Sequence, residues 1–510
     1  MSSLRITSLF SRPSILALAC VLGAALTGCG DDGEGSGAAG GGPSGGGGEG
    51  GAPIELPPLP SVEGLTALED TNEDPTIVEV DLVAQPTSLS LVSGRPTALL
   101  GYNGVVPGPL LHARVGDRVI VHFTNALDEP TTIHWHGLRI SDQMDGSPMI
   151  QNPVQPGETF TYDFVVPDAG TFWYHTHLHQ IEQLERGLYG AIVVHEAEFP
   201  VFSAERIFVA DDIRLSSANQ VSTFLTSGPD IGMGRVGNTL LMNGVEAPLP
   251  VTIPRGAVER WRLVSANNAL SYGVRFRGAD VRVISTDGGL LPSSFSLADA
   301  EDQRVEIAAG QRYDFEVRPQ ADATEVVMEA LILVADSQGN VSEEPFDLAV
   351  AAVGGEVETV EPIYPVVTLP DATVAPAESL TWNLSGGVVA GKVEFTINGE
   401  SVFVGDDHEH VIIDTFAPNV PIAITLRSTV SPAHPFHVHG QFFQIIERGG
   451  QPVNEPGLRD TVHVRGAESA TILSYFENPG RWMVHCHISE HSENGMMADI
   501  VVGDASAHEH

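Results

Sequence analysis

Cys486 lies in the run His485-Cys486-His487-Ile488-Ser489-Glu490-His491, and Met496 follows ten residues after it. A thiolate, imidazoles and a thioether at these spacings suit a mononuclear blue-copper electron-transfer site, with two His and one Cys in a trigonal plane and a weak axial Met. Three further histidine clusters stand elsewhere: His134-Trp135-His136-Gly137, His175-Thr176-His177, and His434-Pro435-Phe436-His437-Val438-His439-Gly440. In a β-strand residues i and i+2 point to one face. His134 and His136 therefore face together, as do His175 with His177 and His437 with His439. In the last run His485 and His487 share a face and Cys486 points to the other. Four such pairs supply eight imidazoles, which suits three metal ions. His434, Cys486, His491 and Met496 remain for a separate one. Metals held by Cys486 and by its flanking histidines would be joined by a few covalent bonds, an electron path.

These ligands need short strands to present them. The chain is rich in Val, Thr, Gly and Pro in short alternating runs with few helical stretches, which predicts an all-β fold of sandwiches. An internal repeat divides it. Tyr102-Asn103-Gly104, Met242-Asn243-Gly244 and Ile397-Asn398-Gly399 each open a unit. Strand-like runs follow from Asp117 to Asn125, Val258 to Ala266 and Pro421 to Thr429. Next comes a short element ending in Gly: His134 to Gly137, Arg275-Phe276-Arg277-Gly278, and His437 to Gly440. A late element recurs only in the outer units, Gly170-Thr171-Phe172-Trp173-Tyr174-His175-Thr176-His177 and Gly480-Arg481-Trp482-Met483-Val484-His485-Cys486-His487. The outer units thus carry ligands and the middle one carries none.

The four clusters, in this order and spread over the chain, resemble the signature of multicopper oxidases, the family of laccases, cuprous oxidases and ferroxidases. The resemblance runs from about Pro75 to Val502. It implies three cupredoxin-like Greek-key β-sandwich domains, at 75–200, 201–356 and 357–510, with a copper cluster between the first and third. It implies four coppers per chain. His434, Cys486 and His491 would hold type 1 copper with Met496 axial. His134 and His437 would hold type 2; His136, His175 and His487 would hold one type 3 copper, and His177, His439 and His485 the other. The implied activity is one-electron oxidation of a small reductant coupled to four-electron reduction of O₂ to water. Asp145, in Met144-Asp145-Gly146, occupies the position of a proton-delivering acid in related bacterial enzymes, and its other reading is a turn Asp before Gly. Where some bacterial members place a Glu directly after the last type 1 His, this chain has Ser492, with Glu493 one later, so Glu493 is the weaker candidate for a second relay. Asp460, in Leu458-Arg459-Asp460-Thr461-Val462, is read as structural. Family ligands stop at His177, so His179 is read as a bystander. His408 with His410 and His508 with His510 are read as solvated segments, and His112, His122, His195 and His463 carry no motif.

The reductant is less legible. Thioethers suit Cu(I), and cuprous oxidases usually carry a methionine-rich insert, whereas the nine methionines here are scattered. A ferroxidase would need carboxylates next to His491, and an acidic chain offers many. The expected activity is laccase-like oxidation of phenols or aromatic amines, with a metal-ion oxidase second. A copper-sequestering envelope protein would not need an O₂-reducing cluster. Copper nitrite reductases share the cupredoxin repeat without four His-x-His pairs.

Arg5 and Arg12 precede an apolar run from Ile15 to Gly28, too short to span a bilayer and laid out as a secretory signal. It ends Leu26-Thr27-Gly28-Cys29, as bacterial lipoprotein signals do. Residues 1–28 are expected to be removed, Cys29 to take the lipid, and 29–74 to form a Gly-rich tether and lead-in. Cys20 would leave with the signal, so of three cysteines only Cys486 belongs to the folded part, and copper ligation explains a lone thiol in an exported chain. Sixty-six acidic against 25 basic residues give a formal charge of −41. Such a surface repels nucleic acid and anionic lipid, leaving the lipid as the membrane contact of a monomer in the cell envelope.

Overall fold

The computed structural model describes residues 56–92, 94–224, 228–335, 340–402 and 411–503. The leader, Cys20, Cys29, the tether to residue 55, the His408 to His410 segment and the His508 to His510 tail lie outside the described residues. Strands dominate. Among the described residues the α-helices are the short Gln180–Gln183, Gly228–Met233 and Ser489–Glu493, and no helix is long and apolar enough to cross a membrane.

The six sheets pair into three sandwiches. The first packs the sheet of Arg95–Tyr102, Ile77–Val92, Arg118–Asn125 and Thr159–Val165 against that of Gly108–Arg114, Tyr189–His195, Gly170–His175 and His134–His136. Alternation does the sorting: Val78, Val80, Leu82 and Ala84 point inward and meet Val119, Val121 and Phe123 in one core with Trp135. The middle sandwich spans Ala204–Ile213 to Val341–Glu356, and the last spans Glu378–Val389 to Met497–Val502. The lead-in is also structured, since Val62–Glu63 pairs in parallel with Glu205 and Arg206 of the middle sandwich.

The three Asn-Gly pairs perform one task three times. Asn103, Asn243 and Asn398 sit at φ of 50°, 51° and 55°, and the following glycines are also positive. Two successive positive φ values make the hairpin turn that suits strand twist, and Asn-Gly is its preferred pair. Each Asn side chain then accepts the amide of an adjacent strand: Val83 at 2.7 Å, Val209 at 2.7 Å and Asn383 at 2.8 Å.

Strand register brings the ligand clusters together. His134–His136 runs antiparallel to Gly170–His175, with His134 opposite His175. His434–Val438 runs antiparallel to Gly480–Cys486, with His437 opposite His485 and Phe436 opposite Cys486. At the matching place in the middle sandwich, Arg275 and Arg277 both pair with Glu329, at 2.8 and 3.0 Å.

Candidate metal centre

Cys486 ends its strand with its side chain in the apolar core of the last sandwich, among Phe436, Val438, Trp482, Val484 and Met496. Its Sγ lies 3.6 Å from His434 Nδ1 and 3.5 Å from His491 Nδ1, and those two nitrogens are 3.2 Å apart. All three residues are buried. Met496 is buried in the same core and is tied by its backbone, accepting from the Cys486 amide at 3.1 Å and donating to the His491 carbonyl at 2.9 Å. Phe395 lies against the His491 ring, 4.1 Å between centroids. Burial pushes the Cys486 thiol pKa up, so a thiolate there calls for a bound cation.

On the opposite face of that strand the other eight imidazoles converge, all buried. His134 stacks on His439 and His136 on His437, both with 3.8 Å between centroids. His485 Nε2 lies 3.0 Å from His439 Nε2 and 3.2 Å from His177 Nε2. His487 completes the ring, 5.2 Å from His136 and 5.4 Å from His175 between centroids. Backbone carbonyls select the tautomers. The Nδ1 atoms of His134, His175, His437 and His485 donate to Asp145, Thr176, Asp460 and Cys486 carbonyls at 2.8–3.0 Å. Each ring then keeps Nε2 as a lone pair.

The donor set fits metal ions. His134 Nε2, His136 Nδ1, His175 Nε2, His177 Nδ1, His437 Nε2 and both nitrogens of His487 are buried with no hydrogen-bond partner among the described residues. Orphaned buried polar atoms are costly, and a shared cation satisfies them. Burial, followed by the neighbouring imidazoles, holds His136, His175, His177, His437, His439 and His487 well below the usual imidazole range. Burial takes His485 to about 4 and His434 to about 3. The neutral ring is the ligating form.

Two family models, each described as multicopper oxidase, match residues 84–198 and 390–506, in the two outer sandwiches. A multicopper oxidase from Pseudomonas thermotolerans superposes with a TM-score of 0.73 at 31% identity, over 84% of this chain and 99% of that one. This chain belongs to the multicopper oxidase family. A laccase from Trametes maxima is 30% identical over 77% of this chain and 87% of its own. A Campylobacter jejuni multicopper oxidase, described as a metallo-oxidase, has a TM-score of 0.74 at 26% identity, covering 88% and 96%. The three sandwiches are thus those of a copper-dependent oxidoreductase, and copper in type 1, type 2 and binuclear type 3 sites is the cofactor.

Around the copper-binding rings of this multicopper oxidase stand groups of two kinds. Asp145, buried, accepts from His439 Nδ1 at 2.8 Å and lies 3.2 Å from His134 Nδ1, so it bridges the two outer sandwiches. Glu493 sits apart from these rings, accepting from the Ile181 amide at 2.9 Å, with its pKa raised by burial. Asp460, read from sequence as structural, also reaches the cluster: Oδ1 is 3.1 Å from His136 Nε2 and accepts from Arg312 Nη1 at 2.8 Å. Arg312 comes from the middle sandwich, as does Gly310, where an added Cβ would meet His487 Cδ2 at 2.9 Å and His136 Cε1 at 3.1 Å. The middle unit therefore walls the cluster without supplying a ring to it. No spacing signal marks these residues. His179 is partly exposed beside Glu129 at 3.2 Å, and His112 pairs with His195 at 2.6 Å outside the cluster.

The His491 ring is fully buried. The middle unit's helix Gly228–Met233 packs over it, with Ile231 on the core and the Gly232 backbone facing the ring.

Proposed function

We propose that this multicopper oxidase is laccase-like, taking single electrons from phenols or aromatic amines near His491 and reducing O₂ at the histidine cluster. The reading rests on eight buried imidazoles converging beside a Cys486 thiol that is covalently continuous with two of them. We assign His434, Cys486, His491 and Met496 as the residues that would hold type 1 copper, and His134 and His437 as those that would hold type 2. His136, His175 and His487 take one type 3 copper; His177, His439 and His485 take the other. Bound there, copper supplies one-electron oxidation at the type 1 site and four-electron O₂ reduction at the cluster. The chain supplies the wiring and the protons. Cys486 joins His485 and His487 through the backbone, and His485 Nδ1 donating to the Cys486 carbonyl at 2.9 Å adds a shorter link. Four reductant molecules each lose one electron per O₂, and four protons complete two waters. Asp145 orients His134 and His439 and is the proton donor nearest the rings, with Glu493 as the second relay. We place the domain limits at 200 and 356, and the mature monomer in the cell envelope, anchored through a lipid on Cys29.

Phenols are favoured by the likeness to the Trametes maxima laccase and by the lack of a methionine-rich insert. One observation favours a second reading, oxidation of cuprous or ferrous ions. The helix over His491 removes the open ring edge that an aromatic donor would touch, and the Campylobacter jejuni homologue is a metallo-oxidase. Oxygen consumption with a phenol, a cuprous salt and a ferrous salt in parallel separates them. A phenol kcat/KM above both metals supports the laccase-like reading; the reverse order replaces it with the metal-ion reading.

A further inference from the structure

His491 rides on the helix Ser489–Glu493, five residues long. Such a helix has no stability of its own, and the residue before it, Ile488, offers no side-chain cap. The position of His491 Nδ1 opposite Cys486 therefore depends on what grips the helix from outside. Its C-terminal half is held by the first unit, where Glu493 takes the Ile181 amide and Ser492 Oγ donates to Gln180 Oε1 at 3.3 Å.

Its N-terminal half is held by the middle unit, through the Asn268 side chain together with the Arg235 and Gly232 backbone. Asn268, buried just beyond the strand Glu259–Ser265, accepts the Ser489 amide on Oδ1 at 2.9 Å. Its Nδ2 donates to Glu490 Oε2 at 2.8 Å and to the Arg235 carbonyl at 3.3 Å. Arg235 is itself fixed, its Nε donating to Glu185 Oε1 at 3.0 Å. One amide thus satisfies an orphan helix amide, the buried carboxylate beside His491 and the loop that leads from the covering helix.

We propose that Asn268 is a positioning residue for the type 1 copper, setting the His491 to Cys486 geometry and with it the potential, although it touches neither ligand. This rests on the assignment of His434, Cys486 and His491 as type 1 ligands. Outer groups that orient a ligand tune a metal in this way.

The test uses copper-loaded full-length protein. Asn268→Asp keeps size and the acceptor for Ser489 but replaces the amide donor by a carboxylate facing Glu490. Asn268→Ala removes all three bonds. Both should shift the type 1 hyperfine splitting in electron paramagnetic resonance. Both should also move the reduction equilibrium of the blue site at least tenfold, about 59 mV for one electron, with the type 2 signal unchanged. Glu490→Gln combined with Asn268→Asp rebuilds the bond with donor and acceptor exchanged, and should bring both readouts back toward wild type. A native type 1 spectrum and potential in the single variants, even with a lowered Tm, would reduce Asn268 to a packing residue and overturn the proposal. If a single variant does not accumulate, the double variant should; its failure to do so, or to restore the spectrum, overturns it equally. A wild-type protein with no type 1 signal would instead sink the ligand assignment.

Discussion

The mononuclear site and the histidine cluster are built from the same kinds of motif but held in opposite ways. His434, Cys486 and His491 come from one sandwich, the outermost pair 57 residues apart, and they meet inside its own apolar core. The cluster joins rings such as His177 and His485 that are 308 residues apart, and it exists only where two sandwiches face each other. Domain docking should reach the first site only through the helix that carries His491, and the second directly through its rings. The middle unit bears on both without giving either a ring or a thiol: Gly310 and Arg312 wall the cluster, and Asn268 grips the helix that carries His491.

Cys486→Ser is expected to break the contrast most cleanly. Blue absorption and reductant oxidation should vanish while the cluster's coppers stay, because no cluster ring depends on the thiol. Metal analysis with absorption spectroscopy reads both, and a colourless, zinc-containing wild type would remove the basis for the comparison.

Asp145→Asn acts on the other side. It keeps an acceptor for His439 but loses the charge and the transferable proton, so O₂ reduction should slow by about 10–100-fold. Anaerobic reduction of the type 1 copper should keep its rate, which stopped-flow measurement resolves. Equal slowing of both half-reactions, or loss of type 2 copper, would make Asp145 structural.

Gly310→Ala probes the wall. The residue has φ of +83°, and a methyl would press on His487 and His136. A strain of roughly 1–3 kcal/mol should lower cluster copper occupancy, read by metal analysis, and leave the blue band intact. A loss of blue colour in step with the cluster would mean that the two sites are not separately held.

The smallest effect is expected from Met496→Leu. If Met496 lends a weak thioether to the type 1 copper, removing it should raise the type 1 potential in a redox titration with the cluster unchanged. A fall or no change would turn attention to Met497, which packs instead with Met149 and Met483.

Much of this molecule was legible in the chain alone, because strand periodicity and ligand chemistry are local properties. His-x-His spacing placed ring pairs on one face, the Asn-Gly repeats marked three recurring units, and Cys486 between two histidines implied two linked metal sites. What escaped were residues whose role arises only from a neighbour far along the chain. Asp460 was read as structural from a segment that gives no hint of its contact with His136, 324 residues away. Arg312, Gly310 and Asn268 lie in a unit without a ligand motif, and nothing in their spacing marks them. The chain by itself determined which side chains have the chemistry to ligate copper and which strands present them. Only the tertiary structure decided which rings share a site and what holds each in place, because those contacts form between sandwiches, where no local periodicity records them.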